Sequence, residues 1–289
     1  MNAREPAGSV GATLHDAAGS LARLPTPRLD AEVLLAHVLD WPRARLIAHR
    51  EHLLTVRQRE HFATLIAARA AGTPVAYLRG RHEFWSLDLE VSDAVLVPRA
   101  DTEVLVEAAL VRMPLHVPCT VADLGTGSGA IALAIASERP RAFIVALELS
   151  GAALAVAEAN RRRHGFGHVA AVRGRWTEAL APDRFDLLVA NPPYLAAEDP
   201  ALGDDGVRCE PRAALVADAA GLADLRTLAR TAGRVLVAGG WLLVEHGARQ
   251  AGHVRDLLAT EFTDVDTVID LAGHARVTCA RKRISPDGR

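Results

Sequence analysis

The sequence predicts an α/β fold: a mostly parallel sheet covered on both faces, preceded by a small helical bundle. Two observations carry this. After Pro118 short apolar, β-branched runs alternate with helical patterns, as in a sheet whose strands are connected by crossover helices. Before Leu78 the apolar residues recur only at helical spacing.

In the first part, "RLDAEVLLAHVLD" places Leu29, Val33, Leu34, Ala36, Val38 and Leu39 at helix-like spacing. Pro42 fits the start of a further short helix. "RQREHFATLIAARAAG" repeats the pattern and stops at Gly72. From Phe84, "FWSLDLEVSDAVLVP" alternates apolar and polar residues and reads as a strand pair. "RADTEVLVEAALVRM" then restarts a helix with Asp101 or Thr102 as N-cap. The expected organisation is a helical domain over 1–83, a hairpin and helix over 84–117, and the α/β domain over 118–289.

In the α/β part the strands are "TVADL", "FIVALEL", "VAAVRG", "FDLLVA", "GWLLVEHG", "DVDTVIDL" and "ARVTCARK". The last two are separated by a short turn at Gly273 and read as an antiparallel pair. The helices are "AIALAIASE", "GAALAVAEANRRR", "LADLRTLARTAGRVL" and "GHVRDLLATEF".

The 289 residues are half apolar and 24% charged, with a formal net charge of −2, so nothing marks the chain as a whole as a nucleic-acid binder. Cys119, Cys209 and Cys279 are far apart and form no CxxC pair, which fits a reducing cytosol, with no disulfide scaffold or metal site expected. No apolar run reaches membrane-spanning length, and the N-terminus lacks an apolar signal core. The first residues and the tail "RKRISPDGR" look frayed.

Chemistry concentrates in two places. "VADLGTGSGA" follows the first strand of the α/β part, where such sheets bind nucleotide ligands. Gly125, Gly127 and Gly129, with Thr126 and Ser128 between them, let backbone approach a ligand closely. Their GxGxG spacing differs from the GxGxxG of dinucleotide sites, and no Lys-Ser/Thr follows to make a P-loop. The next strand ends in Glu148, placed to grip ribose hydroxyls. This set suits S-adenosylmethionine better than NAD, with Asp123 and the turn facing the charged methionine end. Trp176 either packs against adenine or belongs to the core.

The second place is "NPPY" after the fourth strand. Pro192 and Pro193 have no N–H, so the Asn191 side-chain oxygen and the Pro192 carbonyl form two rigid acceptors, while Tyr194 offers a flat face. Two acceptors suit the two hydrogens of a planar NH₂ whose nitrogen is conjugated to a π system. Holding them orients a poor nucleophile and supports the charge that develops as a methyl group arrives.

"VADLGTGSGAIALAIASERP", "NPPY" and "LVPRADTE", with "YLRGRHEFWSLDLEV" and "EPRAAL", resemble the protein-(glutamine) methyltransferases that act on peptide-chain release factors, the PrmC/HemK family. The match runs from about Arg28 to near Thr278. It implies a seven-stranded Rossmann-like class I methyltransferase domain and an N-terminal helical domain that helps dock the factor. It implies S-adenosyl-L-methionine as cofactor, held by Gly125 to Gly129, Glu148, Trp176 and Asn191. The Asn191-to-Tyr194 corner would hold the glutamine of the Gly-Gly-Gln motif of class-1 release factors, with Asn191, Pro192 and Tyr194 catalytic. A cytoplasmic monomer acting without membrane or direct nucleic acid is expected. Two departures from the family stand out: Glu148 where Asp is common, and Ala100 in place of a proline. Arg99 and Glu103 either line the mouth of the site or pair on the surface, and His246 is read as structural. On the residues alone an adenine-N6 DNA or RNA methyltransferase remains open, as does a non-catalytic cofactor-binding partner of translation.

Overall fold

The computed structural model describes residues 6–284, and these divide into two compact units. The first comprises residues up to Arg81 together with 203–209; the second comprises His82–Leu202 and the chain from Glu210 onward. The sequence reading places 203–209 in the α/β part instead, since nothing in "GDDGVRC" marks it as a piece of a helical bundle.

The first unit contains α1 (Val10–Ser20), α2 (Pro27–Leu39), α3 (Arg43–Ala48), α4 (Val56–Ala70) and α5 (Val75–Arg79). Helix α4 starts on a capping box: Thr55 Oγ1 accepts from Gln58 N–H, and the Gln58 side chain accepts from Thr55 N–H. Its buried face is Phe62, Leu65, Ile66 and Arg69, one stripe at helical spacing. Arg69 thus occupies a core position, with its charge compensated there. Its Nε donates to Asp30 of α2 at 2.7 Å, and its remaining nitrogens pair with both carboxylate oxygens of Asp205. Arg208 donates to the Ala71 carbonyl and the Cys209 thiol to that of Gly72, so 203–209 closes this unit from the far part of the chain. Arg69→Ala would strand Asp30, which is buried. We expect it to lower the unfolding free energy by about 3–5 kcal/mol in a urea titration.

A hairpin of β1 (Arg81–Phe84) and β2 (Leu87–Glu90) follows, all of it but Arg81 in the second unit. The strand pair therefore begins earlier than the reading from Phe84, and residues 91–97 form no strand, because the positive φ of Trp85 and Ser86 places the turn there. Helix α6 (Glu103–Arg112) follows a short 3₁₀ turn over Ala100–Thr102. Neither Asp101 nor Thr102 caps it with a side chain. Asp101 pairs with Arg276, and the Thr102 hydroxyl accepts from Asn191, so both side chains are engaged elsewhere.

The sheet is built from β3 (Thr120–Leu124), β4 (Phe143–Glu148), β5 (Val169–Arg173), β6 (Phe185–Ala190), β7 (Leu236–Glu245), β8 (Phe262–Ile269) and β9 (Ala275–Lys282), in the order β5-β4-β3-β6-β7-β9-β8. The first five are parallel; β9 pairs antiparallel with both β7 and β8. Arg281 and Lys282, which fall in both the expected strand "ARVTCARK" and the expected frayed tail, lie in β9; the ends of the frayed-terminus expectation, 1–5 and 285–289, lie outside the described residues. Helix α7 (Ala130–Glu138) is apolar all round and is buried from Ala130 to Ala136, packed with the hairpin and α6 on one face of the sheet. The opposite face is covered by helices Ala223–Val235 and Ala251–Ala259. Among the described residues no helix is long and apolar enough to cross a membrane.

Candidate active site

The order of the sheet reverses at β3, and sites in such sheets form outside the carboxyl ends at that point. Register builds the site. Leu124 pairs with Leu147 on one side and Ala190 on the other, and Ala190 pairs with Val244. One residue beyond this row stand Glu148, Gly125, Asn191 and Glu245.

The glycine turn is folded so that its own backbone bonds close it. The Gly125 and Thr126 N–H groups both donate to the Leu147 carbonyl, and Gly129 N–H to that of Thr126. Gly125, Gly127 and Gly129 all have left-handed φ, at 80°, 56° and 87°. Asp123 is fully buried and supports the turn from inside: its Oδ2 accepts from the Thr126 hydroxyl at 2.5 Å and from Ala132 N–H at 3.1 Å. Burial pushes its pKa up to about 7 against the pull of those two bonds. This differs from the expectation that Asp123 faces a ligand's charged end; an acid before a turn can brace it as well as contact what lies in it. Asn160 of α8 (Gly151–Arg163), also fully buried, ties the Ser128 carbonyl to both the N–H and the carbonyl of Glu90.

Glu148 accepts from Gly127 N–H at 3.0 Å through one carboxylate oxygen and from Ser150 N–H at 2.9 Å through the other. Each oxygen keeps a further lone pair. Trp176 lies against the turn: a side chain at Gly125 would meet its ring at 3.2 Å. Its indole N–H donates to Asp224 at 3.1 Å and its φ is 46°, a conformation rare for a bulky residue. The residues fit S-adenosylmethionine. A Cβ at Gly127 would have no heavy atom within 4 Å, so the turn opens on space, flanked by a carboxylate and an indole. Gly125 to Gly129, Glu148 and Trp176 are the groups that would hold it.

The corner is braced from several sides. Asn191 Nδ2 donates to Thr102 Oγ1 at 3.3 Å, while among the described residues its Oδ1 accepts nothing. The Tyr194 carbonyl accepts from Gln250 Nε2 at 3.0 Å, and Leu195 N–H donates to the Leu215 carbonyl. Pro192 is buried; Pro193 and Tyr194 are half-buried. Burial pushes the Tyr194 phenol up to about 12, so it stays neutral near pH 7 and offers a ring, not a base. Gly221, at φ 80°, fits against the Tyr194 carbonyl, since a Cβ there would overlap the carbonyl oxygen. Gly221→Ala is therefore expected to cost about 1–3 kcal/mol of stability in urea and to displace the corner, slowing any reaction there.

Around the corner, Arg99 pairs with the buried Glu210 at 2.7 Å and Arg276 with Asp101 at 2.6 Å. Of the two open alternatives for Arg99 and Glu103, Arg99 is thus committed to an ion pair and Glu103 accepts from Trp85 N–H. His246 is buried, bonded to Thr278 Oγ1 at 2.8 Å, with burial lowering its pKa. Sequence reasoning does not single out Thr102, Asn160 or Glu245 for the site. Only Glu245 carries a signal: like Glu148, it is an acid ending an apolar strand.

Residues 12–80 match the family model for the PrmC N-terminal domain, and 101–203 that for the methyltransferase small domain. The release factor glutamine methyltransferase of Xylella fastidiosa (strain Temecula1) is 51% identical over 255 residues, which is 88% of this chain and 93% of the relative. That of Escherichia coli (strain K12) is 42% identical over 269 residues, 93% of this chain and 97% of the relative. Among solved structures, a methyltransferase from Pyrococcus furiosus matches with a TM-score of 0.52 at 15% identity, covering 80% of this chain and 100% of its own, a likeness of fold alone.

Proposed function

The chain belongs to the release factor glutamine methyltransferase family, and from that premise we propose that the row of strand ends is its active site. The protein methylates a release-factor glutamine and takes the methyl group from S-adenosylmethionine. The target in our reading is the side-chain amide nitrogen of the Gly-Gly-Gln glutamine of class-1 factors. Gly125 to Gly129, Glu148 and Trp176 hold the donor. Asn191 to Tyr194 hold the amide.

The observation that carries this assignment is the state of Asn191. Its nitrogen is engaged inside the protein by Thr102, and its oxygen accepts nothing among the described residues. That oxygen and the Pro192 carbonyl, which likewise accepts nothing among them, are two acceptors beside the glycine turn, the arrangement an NH₂ group requires. An amide nitrogen is a weak nucleophile because its lone pair is delocalised. Accepting both its hydrogens fixes its direction of approach and supports the positive charge it gains. When bound, S-adenosylmethionine supplies an electrophilic methyl group on a sulfonium. The Tyr194 ring covers the planar amide and keeps water from it. The extra proton of the alkylated nitrogen becomes acidic once the C–N bond forms, so no strong base is needed at the start. The helical unit docks the factor, since it holds none of the groups named here.

Labelled S-adenosylmethionine, incubated with an intact release factor and with a factor whose Gly-Gly-Gln glutamine is replaced by alanine, tests the reading. Label is expected on the intact factor alone. Equal labelling of both would mean that another group is the target.

A further inference from the structure

We propose that Glu245 is a positioning residue for methyl transfer, setting the rotation of the Asn191 side-chain amide through Thr102 so that its oxygen faces the substrate. The inference rests on the reading of Asn191 to Tyr194 as the glutamine site.

Register places the two residues together: Ala190 of β6 pairs with Val244 of β7, and Asn191 and Glu245 are the next residues on each strand. Glu245 is 2% exposed and Thr102 4%. Register thus sets the Glu245 carboxyl next to Asn191, and the side chains of Thr102 and Asn191 both favour its ionised form. A threonine hydroxyl can donate or accept, so Thr102 alone could bind either end of the Asn191 amide. A carboxylate only accepts. Beside Glu245 the Thr102 proton is drawn to the carboxylate, and the lone pair left on Oγ1 must take a hydrogen from Asn191. That is the bond observed, Nδ2 to Oγ1 at 3.3 Å. The flipped amide would set Oδ1 against the carboxylate and turn its NH₂ toward the glutamine NH₂, donor against donor.

The Glu245 carboxyl is not explained by stability. Its Oε2 is buried with no hydrogen-bond partner, a cost to the fold. Arg276 of β9 supplies a positive charge, while Asp101 opposes ionisation and the neutral Tyr194 phenol faces the same space. Burial pushes the carboxyl up to about 7, against the pull of Thr102, Arg276 and Asn191. As pH falls through that value the proton returns to Glu245, a donor appears where an acceptor stood, and the amide loses its fixed rotation.

The test is single-turnover transfer to intact release factor, with saturating donor, for the parent, Glu245→Ala, Glu245→Gln, Asn191→Ala and the double Ala variant. Glu245→Ala should slow transfer by about ten- to a hundredfold with donor affinity within about threefold, and Glu245→Gln, which like the protonated acid carries a donor beside its acceptor, should stay near the parent's low-pH rate. The double variant should be no slower than Asn191→Ala alone, because Glu245 acts through Asn191. In the parent the rate should fall on acidification through about pH 7, and in Glu245→Gln that fall should shrink to the part owed to Asp123, which braces the donor turn and is also pushed up to about 7. Losses that multiply in the double variant overturn the inference, as does Glu245→Ala at the parent rate. If Glu245→Ala fails to fold, the acid fall decides: the same fall in Glu245→Gln as in the parent overturns it. Asn191→Ala at the parent rate would remove the reading of the corner itself; Asn191→Ala impaired with Glu245→Ala normal removes only this inference.

Discussion

Asn191→Ala should reduce methyl transfer by about a hundredfold or more while leaving S-adenosylmethionine affinity within about tenfold. The separation follows from the site. In the proposed site the donor's contacts fall to the glycine turn, Glu148 and Trp176, whereas Asn191 supplies an acceptor that matters once the amide is being alkylated. Truncation also leaves the Thr102 hydroxyl without the N–H it now accepts, a defect confined to the corner. Asn191→Asp should fall between the parent and the alanine variant. The aspartate restores an acceptor, but it sets a second carboxyl beside Glu245, and two such groups do not readily ionise together. Single-turnover transfer and calorimetric titration of the donor, on the same preparations, give the two quantities. Parent rates for both variants would reduce the corner to a turn.

Gly127→Asp should abolish measurable S-adenosylmethionine binding while the protein stays folded. The position distinguishes ligand from fold. Gly127 has a φ of 56°, a region that Asp tolerates better than most residues, and a Cβ there meets no heavy atom within 4 Å. The side chain therefore projects into the space proposed for the ligand, and its charge lies near Glu148, which accepts from Gly127 N–H. The neighbouring glycines would not make so clean a test, since a Cβ at Gly125 presses on Trp176 and one at Gly129 on Leu133. Calorimetry on the variant, with circular dichroism as a control for folding, measures the outcome. Near-parent affinity would mean that the turn is structural and the donor sits elsewhere.

The two motifs are legible in the sequence because each is continuous and local. Glycines at alternate positions after an apolar strand, and two prolines after another, state a backbone geometry without help from the rest of the chain. Alternation of strand and helix likewise sets the sheet's class, and the turn at Gly273 its antiparallel edge. What stays hidden depends on register between distant segments. Thr102 reads as a helix cap until β3 to β7 are aligned and the start of α6 is found beside Asn191. Asp123 reads as a ligand-facing acid until its burial shows it to be the turn's internal brace. Arg69 lies on the stripe of Phe62, Leu65 and Ile66, where a charge looks like an error of phase, because its counter-charge Asp205 is far away in sequence.

That same ion pair determines where the gene can be cut. The helical unit is encoded in two pieces, one ending at Arg81 and a second over 203–209. A chimera that exchanges only the N-terminal piece between relatives would import a new residue 69 and its surroundings and leave the matching Asp205 segment behind. Recombination at the apparent boundary is therefore penalised unless both pieces come from one parent. The two segments are expected to vary together across descendants, and any chimera meant to exchange the helical unit has to carry both.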